Sequence, residues 1–156
     1  MAELTERIRL ALKVDARAPR SRRATRRMKM KHVLVVDDEE AIVYIFRRYL
    51  EVAGYRVTTA GDGVEALEAF GRERIDALVT DARMPRMGGE ELIKHIRPSR
   101  PDMPIVVVSA YPTEIGQTSP GVRVFSKPVD AASLVAALAD MLGDPETAGL
   151  DRVAGK

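Results

Sequence analysis

Cysteine and tryptophan are absent from this 156-residue chain, and histidine occurs only at His32 and His95. Without cysteine there is no disulfide framework, thiolate metal site, iron–sulfur cluster or cysteine nucleophile. Two histidines leave little for a histidine-based metal centre or catalytic triad. No apolar run approaches the roughly 18 residues of a membrane span, and the first 30 residues lack the apolar core of a secretory signal. The expected compartment is therefore the cytoplasm. What remains is ordinary for a globular core, with 46% hydrophobic residues. A domain of this size hides roughly 70% of its unfolded surface and needs no covalent staples.

The net charge of +2 conceals an asymmetry. Residues 1–31 carry 11 Lys/Arg against three acids, whereas residues 32–156 carry 14 against 20. A basic arm, residues 1–30, thus precedes an acidic body. Within the arm, Leu4, Ile8, Ala11 and Leu12 fall at helical spacing over Ala2–Val14, an amphipathic stretch too short to be stable without a partner. Ala16–Arg27 has no apolar period and reads as a disordered linker. A solvated extension accounts for the arm; nucleic-acid or membrane-surface binding could arise only there, and the arm has no aromatic residue to stack on bases. A natural start at Met28 or Met30 is an alternative expectation, because the domain pattern begins beside them.

From Lys31 to Leu142 strand and helix patterns alternate. The apolar run Val33–Val36 suits a parallel strand buried on both faces. A helix follows, opened by acids and striped with Ile42, Ile45, Phe46, Tyr49, Leu50 and Ala53, with Gly54 as its stop. Tyr55–Ala60, Ile75–Thr80, Ile105–Val108 and Val122–Phe125 are the other strands; Val64–Phe70 and Glu90–Ile96 are helices. Asp130 caps a last helix bearing Leu134, Leu138, Met141 and Leu142, and 143–156 is a tail. Short joints between such units predict an α/β fold, an open and doubly wound parallel sheet.

In that architecture ligands bind beyond the carboxyl ends of the strands. Asp37 and Asp38 follow the first strand, Asp81 the third, Ser109 the fourth and Lys127 the fifth. Three close carboxylates repel one another unless a cation sits among them. Oxygen ligands in an open cleft suit Mg²⁺, with its remaining ligands from water and phosphate. With no cysteine and little histidine, the candidate nucleophile is a carboxylate that forms an aspartyl phosphate.

Each residue has a plainer rival role. Asp37 and Asp38 could cap the first helix. Asp81 could open a turn before Pro85, Ser109 could satisfy a strand end, and Lys127 could be a solvated cation. Phe125, His32 and His95 could be structural, and Met84 and Met87 could pack a loop. Convergence of the polar set on one rim favours the chemical reading.

Val33–Glu39 (VLVVDDE), Asp81–Gly88 (DARMPRMG), Ser109–Ala110 and Lys127–Pro128 together resemble the receiver domain of bacterial two-component response regulators. The resemblance covers about residues 30–142 and implies a flavodoxin-like (βα)₅ sheet of order 2-1-3-4-5. It implies Asp81 as phosphoacceptor from a sensor histidine kinase or phosphotransfer protein. Asp38 corresponds to the direct Mg²⁺ ligand, Asp37 to its water-mediated neighbour, and the Arg83 carbonyl to a further ligand. Lys127 would pair with the phosphoryl group, and the Lys127–Pro128 bond would be cis. Ser109 and Phe125 correspond to the conformational switch that signals to a downstream protein. Arg83 and Tyr111 occupy positions that tune phosphoryl lifetime.

The departure from the family is Tyr111–Pro120, where Pro112, Gly116 and Pro120 predict a shortened or irregular fourth helix. That stretch borders the family's usual output and dimer face. Only Gly143–Lys156 follows the last helix, so the expectation is a stand-alone, chemotaxis-type regulator. Two alternatives remain at this point: a haloacid-dehalogenase-like phosphatase, which also uses a strand-end aspartate with Mg²⁺, and a phosphorylation-independent scaffold.

Overall fold

The computed structural model describes residues 30–112 and 120–143. All of the arm but Met30 (1–29), most of the expected irregular fourth helix (113–119) and all of the tail but Gly143 (144–156) lie outside the described residues. Five strands, β1 (His32–Val36), β2 (Arg56–Ala60), β3 (Ala77–Asp81), β4 (Ile105–Ser109) and β5 (Val122–Ser126), form one parallel sheet of order β2-β1-β3-β4-β5. Among the described residues four helices cover it: α1 (Glu40–Val52), α2 (Gly63–Arg72), α3 (Gly89–Ile96) and α4 (Ala131–Leu142).

Period-two alternation divides the core into two layers. Val33, Val35, Val79, Val106 and Val108 meet Phe46 and Leu50 of α1 and Leu134 and Leu138 of α4. Leu34, Val36, Leu78, Ile105 and Val107 meet Ala66 and Ala69 of α2 and Leu92 and Ile96 of α3. The three central strands are buried throughout, whereas edge strands β2 and β5 are only partly buried.

Local deviations from the sequence reading have local causes. Ile45 is 44% exposed and drops out of the apolar stripe of α1, which buries Phe46 and Leu50. Tyr55 is core, but its N–H donates to the Leu50 carbonyl and ends α1, so β2 starts one residue later. Asp76 leads into β3: its N–H donates to the His32 carbonyl, and its carboxylate accepts the His32 N–H at 2.8 Å. Asp130 stands at the N-cap of α4 without a side-chain capping bond; its carboxylate accepts instead from Ser133 Oγ. Gly54 and Gly143 take positive φ at the ends of α1 and α4, as stops require.

His32 is buried, and its Nε2 lies 2.7 Å from Thr58 Oγ1, whose hydroxyl donates to Glu73 at 2.6 Å. This relay ties β1 to β2 and to the end of α2, the structural role open to His32. His95 is exposed on α3.

Candidate functional site

The carboxyl ends of β1, β3, β4 and β5 meet because the strands are parallel and in register. Asp81 is the last residue of β3 and pairs with Val108; the Lys127 N–H donates to the Ser109 carbonyl at 2.8 Å. Carboxylate oxygens of Asp37, Asp38 and Asp81 all lie within 4.8 Å of one another. Asp37 and Asp81 are buried and Asp38 is exposed, so the cluster opens to solvent on one side. Lys127 Nζ stands 3.1 Å from Asp81 Oδ1 and 4.0 Å from Asp37 Oδ2. The Lys127–Pro128 bond is cis.

The charges are unbalanced. Burial, with the repulsion of Asp81 and Asp38, pushes the Asp37 carboxyl up to about 6, although the Glu39 N–H and Lys127 pull it down. Burial alone would lower the Lys127 ammonium, but its hydrogen bond to Asp81 and the charges of Asp81 and Asp37 outweigh that and leave it raised. One ammonium faces three carboxylates. The remaining negative charge, all-oxygen donors and solvent opening fit a hard divalent cation such as Mg²⁺.

Asp37 serves the helix start and the rim at once. Glu39 is the N-cap of α1 and makes no side-chain capping bond; Asp37 Oδ1 accepts the Glu39 N–H at 2.9 Å and thereby aims its other oxygen at the rim. Ser109 is buried at the end of β4, where Oγ accepts the Tyr111 N–H at 2.9 Å and keeps its own proton to donate. Phe125, on β5, is partly buried against the α1/α4 layer. Over the rim, the Arg83 guanidinium stacks 4.9 Å from the ring centroid of Tyr111, which is 54% exposed. Met84 and Met87 pack against the α2/α3 layer, as loop packing predicts.

Asp62 and Arg86 draw no functional reading from sequence, yet they join the loop after Asp81 to the start of α2 by an ion pair of 2.7 Å. The Asp62–Glu65 spacing is a legible helix-start signature. Its partner 24 residues away is not.

A doubly wound parallel sheet with three carboxylates, a lysine and a hydroxyl on its carboxyl rim is the arrangement that the resemblance to receiver-type signalling domains implies. Residues 33–139 match the response regulator receiver domain, and the chain belongs to that family. It is 36% identical over 118 residues to the transcriptional regulatory protein GlrR of Escherichia coli (strain K12), covering 73% of this chain and 27% of GlrR. It is 47% identical over 78 residues to the response regulator MprA of Mycobacterium leprae (strain TN), covering 50% of this chain and 34% of MprA. The chain thus spans about a quarter to a third of the length of these relatives. Among solved structures, the response regulator protein TrrA of Thermotoga maritima, in complex with Mg(2+)-BeF, superposes with a TM-score of 0.65 at 29% identity, covering 72% of this chain and 99% of that one. A CheY-like receiver domain from Methanospirillum hungatei JF-1 superposes with a TM-score of 0.63 at 26% identity, covering 76% and 98%. Nothing in these comparisons supports the haloacid-dehalogenase alternative. No helix among the described residues is long and apolar enough to cross a membrane.

Proposed function

We propose that Asp81 takes a phosphoryl group from a histidine kinase or phosphotransfer protein in a Mg²⁺-dependent reaction, and that Ser109 and Phe125 relay the change to a downstream protein partner. The observation that carries this is Asp81 itself: a buried carboxylate 3.1 Å from an ammonium, in a cluster with Asp37 and Asp38. In the transfer, an Asp81 oxygen bonds to phosphorus as the bond to the donor's imidazole nitrogen breaks, and that nitrogen keeps the electron pair. Asp38, Asp81 and the Arg83 carbonyl are the proposed direct Mg²⁺ ligands, with Asp37 reaching the ion through water. Bound there, Mg²⁺ supplies neutralisation of the charge gathering on the transferred oxygens. Lys127 holds a second phosphoryl oxygen, and the Ser109 hydroxyl donates to a third once its loop moves inward. The chain's chemistry ends with its own phosphorylation and dephosphorylation.

Acetyl phosphate should therefore add one acid-labile acyl phosphate per chain, mapped to Asp81 by borohydride reduction and mass spectrometry. EDTA should stop the labelling, and Asp38→Ala should cripple it. A label on Ser109 or a histidine, or undiminished labelling without metal, contradicts the mechanism.

Arg83 and Tyr111 form one shield across the rim through their stacking. A cation over an aromatic face contributes about 0.5–1 kcal/mol at an exposed site, enough to bias the pair closed. The Arg83→Ala, Tyr111→Ala double variant should hydrolyse its aspartyl phosphate several-fold faster than the parent, as phosphate release reports. Equal decay rates would remove the shield.

A further inference from the structure

The loop between β3 and α3 carries the Arg83 carbonyl, and it is held by a contact outside the acidic rim. Arg86, in the middle of that loop, has φ 67°, the only non-glycine residue with positive φ among the described residues. An arginine there is strained, with no short polar side chain to compensate locally as asparagine or aspartate has. The surroundings must hold it. Arg86 Nε and Nη2 each lie 2.7 Å from Asp62 Oδ2. The other oxygen of the same carboxylate, Oδ1, accepts the Glu65 N–H at 2.9 Å as the cap of α2, so its position is set by the helix. The Asp62 side chain is only 12% exposed, against 56% for Arg86. Lone surface ion pairs contribute little; here both guanidinium nitrogens converge on a single oxygen whose position is set by the helix, so the contact's effect is to hold the loop in place rather than to add much stability.

Two neighbouring contacts define what the pair controls. The Gly63 N–H donates to the Met87 carbonyl at 3.1 Å, and a Cβ on Gly63 would come within 2.7 Å of Met87. The Gly89 N–H donates to the Ala82 carbonyl at 2.9 Å and closes the loop on itself. Arg83 lies between that closure and the docking point at 86–87.

We propose that Arg86 is a positioning residue for cation binding, which by clamping to Asp62 fixes the path of residues 82–87 and with it the Arg83 carbonyl offered at the acidic rim. The proposal rests on the phosphoacceptor reading above.

Arg86→Gly removes the side chain and its clamp while leaving no backbone strain, because glycine adopts positive φ freely. In the full chain, Mg²⁺ binding followed by calorimetry and by amide NMR shifts of residues 82–87 should weaken roughly tenfold, the low end for supports of metal ligands, without a lower melting temperature. Asp62→Asn, which keeps an oxygen for the Glu65 N–H, should weaken Mg²⁺ to a similar extent. The double variant should bind no more weakly than either single one, because one contact is removed twice. Parent-like Mg²⁺ affinity in Arg86→Gly, or additive losses in the double variant, overturns the clamp while labelling of the parent at Asp81 leaves the phosphoacceptor reading standing. A parent chain that binds no Mg²⁺ overturns both.

Discussion

Asp81→Asn should yield a folded chain that takes up no acyl phosphate from acetyl phosphate or from a phosphorylated kinase. The amide keeps the size of the carboxylate but lacks its nucleophilic charge, and no second carboxylate takes its place. Asp37 is tied to the Glu39 N–H and Asp38 is exposed, whereas Asp81 alone sits 3.1 Å from Lys127. Loss of the label should be complete. Stability should change little, because two effects of the substitution oppose each other. One of three mutually repelling carboxylates disappears, but Lys127 loses its nearer partner and keeps only Asp37 at 4.0 Å. The Asp37 carboxyl should move down from about 6, though only part of the way, since burial is the largest cause of its shift. Carbon-detected NMR of the carboxyls reads that movement, and urea unfolding reads the stability. Label retained in this variant would place the acceptor elsewhere.

Lys127→Ala should slow labelling and uncouple it from the switch. Removing one preorganised donor to a charged transition state costs roughly 100-fold in rate, so labelling should remain measurable in long incubations. The larger consequence lies downstream. Without the ammonium that follows β5, the proposed hold on the phosphoryl oxygens goes, and the inward pull on Ser109 and the repacking of Phe125 should be lost. The test is the phosphate mimic beryllofluoride, with Mg²⁺, read by the NMR shifts of Ser109 and Phe125. A response equal to the parent's would refute the role. The metal-free variant should also be less stable by roughly 2 kcal/mol, below the range for a fully buried pair because Lys127 keeps some exposure.

Much of this architecture is legible in one dimension. Val33–Val36 and Ile105–Val108 are continuous apolar runs because a central parallel strand is buried on both faces, and both are strands with every residue buried. Strand-end polar residues are legible for the same reason, since a parallel sheet has one carboxyl edge. Asp37, Asp38, Asp81, Ser109 and Lys127 thus point to one rim before any coordinate is known. The boundaries are less legible. Tyr55 and Asp76 carry strand-like or turn-like sequence, but hydrogen bonds to Leu50 and His32 decide where β2 and β3 begin.

What the sequence determined by itself is therefore the alternation of elements, the two-layer core and the convergence of the acidic set, all consequences of local periodicity and of chain direction. Tertiary structure alone decided which oxygen faces which charge. The 3.1 Å approach of Lys127 to Asp81 joins the ends of two strands separated by another in the sheet. The stacking of Arg83 on Tyr111 and the grip of Arg86 on Asp62 likewise join loops that are distant in the chain. Each depends on side-chain rotamers and backbone dihedrals, such as the positive φ of Arg86, set by packing across elements rather than by neighbours in sequence. Hydrophobic patterning specifies which face is buried; it carries no information on how two charged loop residues meet above it.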